Sequence, residues 1–239
     1  MTPIELHVAH WSAWSPRLPD RAAWHAWAGI APPAASDEIP AGPALLRRRV
    51  GKLGQQALRV AWELPESRDA HLVFASRHGE IGRTVSILEA LARAEPVSPA
   101  DFSLSVHHAL EGLLSIAGAN RRGHGAVAAG ADSLWYGLIE AAGCLADPQC
   151  PSVVLVYQDE PLPPPYDSFS APGDESVALA LVLARSGGTA LKLSATPVQA
   201  GDCEPRPGEA LLGALLRRGS AVARGERHVW RVACDDAGA

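Results

Sequence analysis

His107, His108, Asp132 and Ser76 are the side chains whose types combine into a recognisable chemistry. An imidazole beside a carboxylate takes up and returns protons near neutral pH, and that pair next to a serine hydroxyl is the relay of a hydrolase. Adjacent residues on a helix point about 100° apart, so only one of the two histidines can face a shared pocket. A hydrogen-bonded structural histidine is the ordinary fate of either. Ser76 follows an apolar run and lacks the GxSxG elbow that would expose a nucleophile. The tight turn Gly130-Ala131-Asp132 presents an aspartate where α/β enzymes present a reactive side chain above a sheet.

Other chemistries find no residue pattern. The chain has nine histidines, but HExxH is absent and Cys144, Cys150, Cys203 and Cys234 show no CxxC spacing, so no metal is expected. Neither GxGxxG nor GxxxxGK[ST] occurs, and no cofactor is expected. A formal net charge of −5 offers nucleic acid no broad basic surface. No apolar run approaches the ~20 residues of a membrane span. The start MTPIELHVAHW lacks the basic and apolar blocks of a signal peptide, so a cytoplasmic protein is expected.

At 239 residues with 47% apolar content, the expectation is one globular domain over residues 1–239. Ile4 to Trp14 alternates as a first strand, and Asp20 caps a short helix carrying Trp24 and Trp27. Trp11, Trp14, Trp24 and Trp27 could stack on a ligand, but large aromatics at helical spacing read as core or interface. Leu46, Val50, Leu53, Ala57, Val60 and Ala61 form one helical stripe, as do Ile81, Val85, Leu88 and Leu91. His71 to Ser76 and Ser152 to Gln158 are buried strands. Between them, Val106, Leu110, Leu113, Leu114 and Ala117 predict a helix covered on most sides, followed by a short buried strand over Gly125 to Ala129 and a helix from Ser133 to Ala146. SVALALVLARS and ALKLSATPV, joined through Gly187-Gly188, read as an antiparallel hairpin. Gly208 to Ala223 is helical by period, and His228 to Val232 is a last strand. The fold class is therefore α/β, a five-stranded mainly parallel sheet between helices with a carboxyl-terminal hairpin and helix.

Arg47, Arg48, Arg49 and Lys52 make a basic cluster on an acidic chain, suited to a phosphorylated or acidic partner. In order, PALLRRRVGKL, LVFASRHGEIGRT, VSPADFSLSVHHALEGLLSIA, AVAAGADSLWYGLIEA and VVLVYQDEPLP resemble the β-ketoacyl-synthase-like N-terminal domain family over about residues 20–235. The resemblance implies a stand-alone, thiolase-like half-fold. It places the ketosynthase cysteine's position in Gly130-Ala131-Asp132-Ser133, at Asp132 give or take a residue, and makes Ser76, His107, His108, Asp132 and Ser133 the candidate pocket. An aspartate cannot supply the thiolate of thioester exchange. The two histidines and the lysine of a ketosynthase's second half have no counterpart in this shorter chain. The motif also carries His107-His108 where the family has His-Asn.

What the resemblance implies is a non-catalytic, chain-length-factor-like accessory of type II polyketide or fatty-acid-like biosynthesis, of the aryl polyene or xanthomonadin pigment kind. Its partners would be a ketosynthase subunit, an acyl carrier protein or both, in a homodimer or heterodimer, with Arg47, Arg48, Arg49 and Lys52 as the carrier contact. Two other readings stand beside it. One is a small acyl-thioester enzyme, a hydrolase or malonyl-carrier decarboxylase, using the remodelled pocket; the other is a structural homo-oligomer.

Overall fold

The computed structural model describes residues 2–31, 42–43, 50–171, 173–198 and 206–236. Eight strands form one sheet in the order β3-β2-β4-β5-β1-β6-β8-β7. They are β1 (Ile4–Trp14), β2 (His71–Ala75), β3 (His124–Val127), β4 (Ser152–Asp159), β5 (Val177–Ala184), β6 (Thr189–Pro197), β7 (Ser220–Arg224) and β8 (His228–Asp236). The helices are α1 (Arg21–Trp27), α2 (Lys52–Trp62), α3 (Ile81–Ala92), α4 (Pro99–Leu104), α5 (Ala109–Gly118), α6 (Ser133–Ala146) and α7 (Pro207–Arg217).

Alternation along the strands divides the core in two. Val73, Leu155, Tyr157, Leu179 and Leu181 face α6 and α7, which contribute Leu134, Trp135, Leu138, Leu211 and Leu212. Leu72, Phe74, Val154, Val156 and Val182 face α2 and α5, which contribute Leu53, Ala57, Leu58, Leu110 and Leu114. Both faces of β4 and β5 are thus covered, which is why they read as unbroken apolar runs. The result is a three-layer α/β/α arrangement. Trp24 is fully buried and Trp11 nearly so. Asp20 caps α1 by accepting from the Ala23 N–H at 2.9 Å.

Four expectations are corrected. The sheet has eight strands: β3, β2, β4 and β1 share one direction with β5 opposed, and β6, β8 and β7 extend it antiparallel. β5 and β6 are not a hairpin, because β1 lies between them and pairs with both. A glycine-rich link reads the same whether it turns to a neighbour or steps over one strand, and strand spacing of ~4.8 Å makes that step short. The helix expected to reach Ala223 stops at Arg218, a left-handed C-cap with φ +47°, and Ser220 to Arg224 is a strand. Finally, among the described residues β3 is an edge strand bonded only to β2, with His124 and Ala126 exposed.

Packing on the β3 side also departs from the sequence reading. Of the α3 stripe only Val85 is buried, while Leu88 and Leu91 are 47% and 59% exposed. The helix expected to be covered on most sides buries Leu110, Glu111 and Leu114 but leaves Ile116 71% exposed. Helical period identifies an apolar face without saying what covers it.

The step over β1 supplies a test. Gly188 has φ +75° and passes so close to Val8 that a Cβ would overlap the Val8 carbonyl, whereas Gly187 has φ +86° and open space around it. Gly187→Ala is expected to cost about 1 kcal/mol from left-handed strain alone. Gly188→Ala is expected to cost at least ~2 kcal/mol, because backbone must also move. Urea unfolding of the two variants measures the difference.

Candidate functional site

Because β2, β3 and β4 are parallel, their carboxyl ends meet at one rim of the sheet, the place where open α/β sheets build their sites. Ser76 follows β2 there and is 8% exposed. Its Oγ accepts from the Gly79 N–H at 2.8 Å, and its own N–H donates to the Val127 carbonyl at 3.1 Å. The hydroxyl therefore braces a turn. Gly79 lies against the His107 ring, whose nearest atoms would be 3.5 Å from a Cβ at that glycine. His107 is thus brought to the Ser76 turn, while His108 is the exposed N-cap residue of α5.

The elbow after β3 is closed by its own hydrogen bonds. Ser133 Oγ donates to the Gly130 carbonyl at 2.7 Å and accepts from the Ala129 N–H at 2.9 Å. Asp132 is 0% exposed. Its Oδ1 accepts from Trp230 Nε1 at 2.5 Å and its Oδ2 from the Arg227 N–H at 2.9 Å. Both donors come from β8 and its turn, so the β7-β8 ribbon curls over the start of α6, where Trp230 stacks on Trp135 with ring centroids 6.0 Å apart. A Cβ at Gly225 would overlap the Asp132 carboxylate, so the turn needs a glycine to admit it. On the outer side, Glu226 Oε1 accepts from the Ala131 N–H at 3.0 Å and sits against Gly130, whose φ is +58°. The N–H groups of Asp132 and Ser133 turn back to the Ala129 and Gly130 carbonyls. Each of these elbow donors is occupied.

The family model of the β-ketoacyl synthase N-terminal domain matches residues 11–231. This chain belongs to that family. A comparison with curated protein sequences gives no match. Among solved structures, the ketosynthase ApeO in complex with its chain length factor ApeC from Xenorhabdus doucetiae contains a similar chain. The two share 27% identity at a TM-score of 0.81, over 96% of this chain and 99% of that one. The ishigamide ketosynthase/chain length factor matches at 16% identity and a TM-score of 0.59, over 82% and 68%. AntDE:AntF, a type II PKS acyl-carrier protein in complex with its ketosynthase, matches at 11% and 0.67, over 97% and 99%. These last two show the thiolase-like ketosynthase half-fold alone.

At the same rim of this β-ketoacyl synthase domain, where β2 and β4 end, lies a charge cluster that sequence reading missed. Arg77 donates through Nε to Asp159 and through Nη2 to both oxygens of Asp174, at 2.9 and 2.8 Å. The Tyr157 hydroxyl donates to Asp159 at 3.0 Å. Burial lifts Asp159 above the ordinary carboxylate range against the pull of Arg77, and the two carboxylates hold the guanidinium charged. Burial and then the Arg77 charge lower the pKa of neighbouring His78, which also feels His107 and Glu226. The signal for Arg77 and His78 was their place directly after a strand ending in Ser76; Asp174 and Glu226, far along the chain, gave none.

Lys52 opens α2 and is exposed, while Arg47, Arg48 and Arg49 lie outside the described residues, as does Cys203. Cys144, on α6 beyond the elbow, is a free thiol that burial pushes up in pKa, away from the thiolate form. Among the described residues no group of three or more His, Cys, Asp or Glu is placed to hold a metal ion, and no helix is long and apolar enough to cross a membrane.

Asp132→Ala removes the acceptor of the buried Trp230 Nε1 and of the part-buried Arg227 N–H. The expected cost is roughly 3 kcal/mol, about 10 °C in melting temperature for a chain of this size. Thermal unfolding followed by tryptophan fluorescence checks it, since Trp135 and Trp230 report the same contact.

Proposed function

We propose that this chain is a non-catalytic, chain-length-factor-like subunit that pairs with a ketosynthase and serves its acyl carrier protein. The setting is type II polyketide or fatty-acid-like biosynthesis in the cytoplasm, with an aryl polyene or xanthomonadin-type pigment as product. The observation that carries the reading is the buried Asp132: the elbow holds no thiol, and its carboxylate is bonded inward to Trp230 and Arg227. Turning it outward would strip the buried Trp230 Nε1, and with it the Arg227 N–H, of an acceptor. The similarity to a chain of a ketosynthase and chain length factor complex along nearly the whole of both chains supports the pairing.

The β3 side has the character of a pairing face. Edge strand β3 has one side free of β-partners among the described residues, and unpaired edges are templates for another chain. The helices α3, α4 and α5 contact one another in succession and then β3. Of the large apolar residues exposed among the described residues, Leu88, Leu91, Phe102, Val106 and Ile116 lie on this side. Apolar exposure gathered on neighbouring elements marks interaction surfaces. The shortage of charge in α5 is then explained by a second chain rather than by the protein's own core. Lys52, with the arginines before it, is kept as the carrier contact, because an acidic carrier suits a basic patch.

The hydrolytic alternative needs a free hydroxyl, and both Ser76 and Ser133 use theirs to brace turns. Co-expression with a ketosynthase and its carrier protein, followed by native mass measurement, is expected to give a stable heterodimer. Leu91→Asp with Ile116→Asp is expected to weaken pairing at least tenfold while the isolated chain keeps its melting temperature. A lone monomer or a homodimer beside an unpaired ketosynthase would overturn the reading. Turnover of acyl- or malonyl-thioesters by the pure chain would favour the enzyme instead.

A further inference from the structure

Glu111, in the first turn of α5, is 0% exposed, and among the described residues neither carboxylate oxygen has a hydrogen-bond partner. A helix's first turn ordinarily favours negative charge, yet an ionised carboxylate without water or partner is poorly tolerated in an apolar interior. Burial wins here, raising the pKa to about 8 against an opposing pull from the residue's own backbone N–H.

The charges on the elements packed against α5 are engaged elsewhere or exposed. On α2, Lys52 is exposed and Arg59 donates to Gln56, Glu63 and the Pro19 carbonyl. On the 3-10 turn Pro65–Arg68, Glu66 meets His10 and Arg68 lies 4.5 Å over the Trp62 ring. On β2, His71 pairs with the Arg122 carbonyl; on β3, His124 is exposed; on α4, Asp101 takes Arg83. Glu80, near Leu110 across Gly54, accepts from the Gly51 N–H at 3.0 Å. Burial is accordingly what raises Glu111, and among the described residues no charged neighbour shifts it. The same helix carries the exposed Ile116, and exposed Val106 stands just before it.

We propose that Glu111 is a pH-sensitive pin: α5 stays seated, and the apolar face it carries stays formed, only while this side chain is uncharged. The consequence for pairing rests on the function proposed above; the pin itself does not. The sign follows from linkage. The folded chain holds the proton that an unfolded or locally opened Glu, with an ordinary pKa of 4.5, releases. The stabilisation is whole below that value and is lost as pH rises towards about 8, with local opening of α5 favoured up to tenfold per pH unit.

Hydrogen exchange of the isolated full chain between about pH 6 and pH 8, corrected for intrinsic rates, tests this. Protection of the α5 amides is expected to fall by up to tenfold per pH unit in the natural chain and to stay level in Glu111→Gln, with α6 as an internal control. Equal pH dependence of α5 in both proteins would overturn the pin. If Glu111→Gln does not fold, carbon-13 NMR of the glutamate carboxyls in the natural chain decides: one resonance titrating near 8 is expected, and titration of all in the ordinary range would overturn it. Native mass of the ketosynthase complex over the same range separates the two readings. Loss of pairing with rising pH in step with α5 protection is expected. Unchanged pairing while α5 loosens would remove α5 from the pairing face and leave the pin standing.

Discussion

A carboxylate with no exposure at the start of a helix must have its lone pairs answered by protein, and Asp132 is answered from a strand near the opposite edge of the sheet. That demand reaches well beyond the elbow. It requires β8 to curl over α6, Trp230 to lie flat on Trp135, and Gly225 to lack a side chain. The carboxyl-terminal ribbon is therefore part of the elbow's structure. Its turn also delivers Glu226 to the Ala131 N–H, so one hairpin fills both the inner and the outer side of the position where the family resemblance places a thiol.

The two ends of the parallel strands' neighbourhood differ in how their polarity is resolved. At the rim, Arg77, Asp159, Asp174 and Tyr157 satisfy one another, and Ser76, Asp132 and Ser133 are each bound into turns. Such a network is stiff, since loss of any member strands a buried charge or donor. On the helices beside β3 the balance is reversed, with apolar side chains facing water and an unpartnered carboxyl beneath them.

Much of this was legible in the chain. The alternation of Ile4 to Trp14, the β-branched run of β4 and the cap at Asp20 act locally, and their signals were read as they fold. The order of strand, elbow and helix around Asp132 was also visible, as was the family it implies. What escaped depends on contacts distant in sequence. Nothing in Gly187-Gly188 tells whether the chain turns beside β5 or steps over β1. Nothing near residue 132 announces a tryptophan at 230. The strand β7 was lost inside a helical period because Arg218 breaks the helix by backbone conformation rather than by residue type.

The instructive failure concerns α3 and α5. Their apolar spacing was read as core because hydrophobic period reports a need for burial, and a single chain is the nearest supplier of it. Sequence cannot separate a face buried by its own sheet from one buried by a second protein. Glu111 sharpens the point. A solvated helix would have placed a glutamate outward at no cost, and a self-contained core would have excluded it. Under the pin proposed above, a carboxyl retained on the inner face of a helix that also carries exposed apolar side chains makes the helix's attachment conditional on protonation.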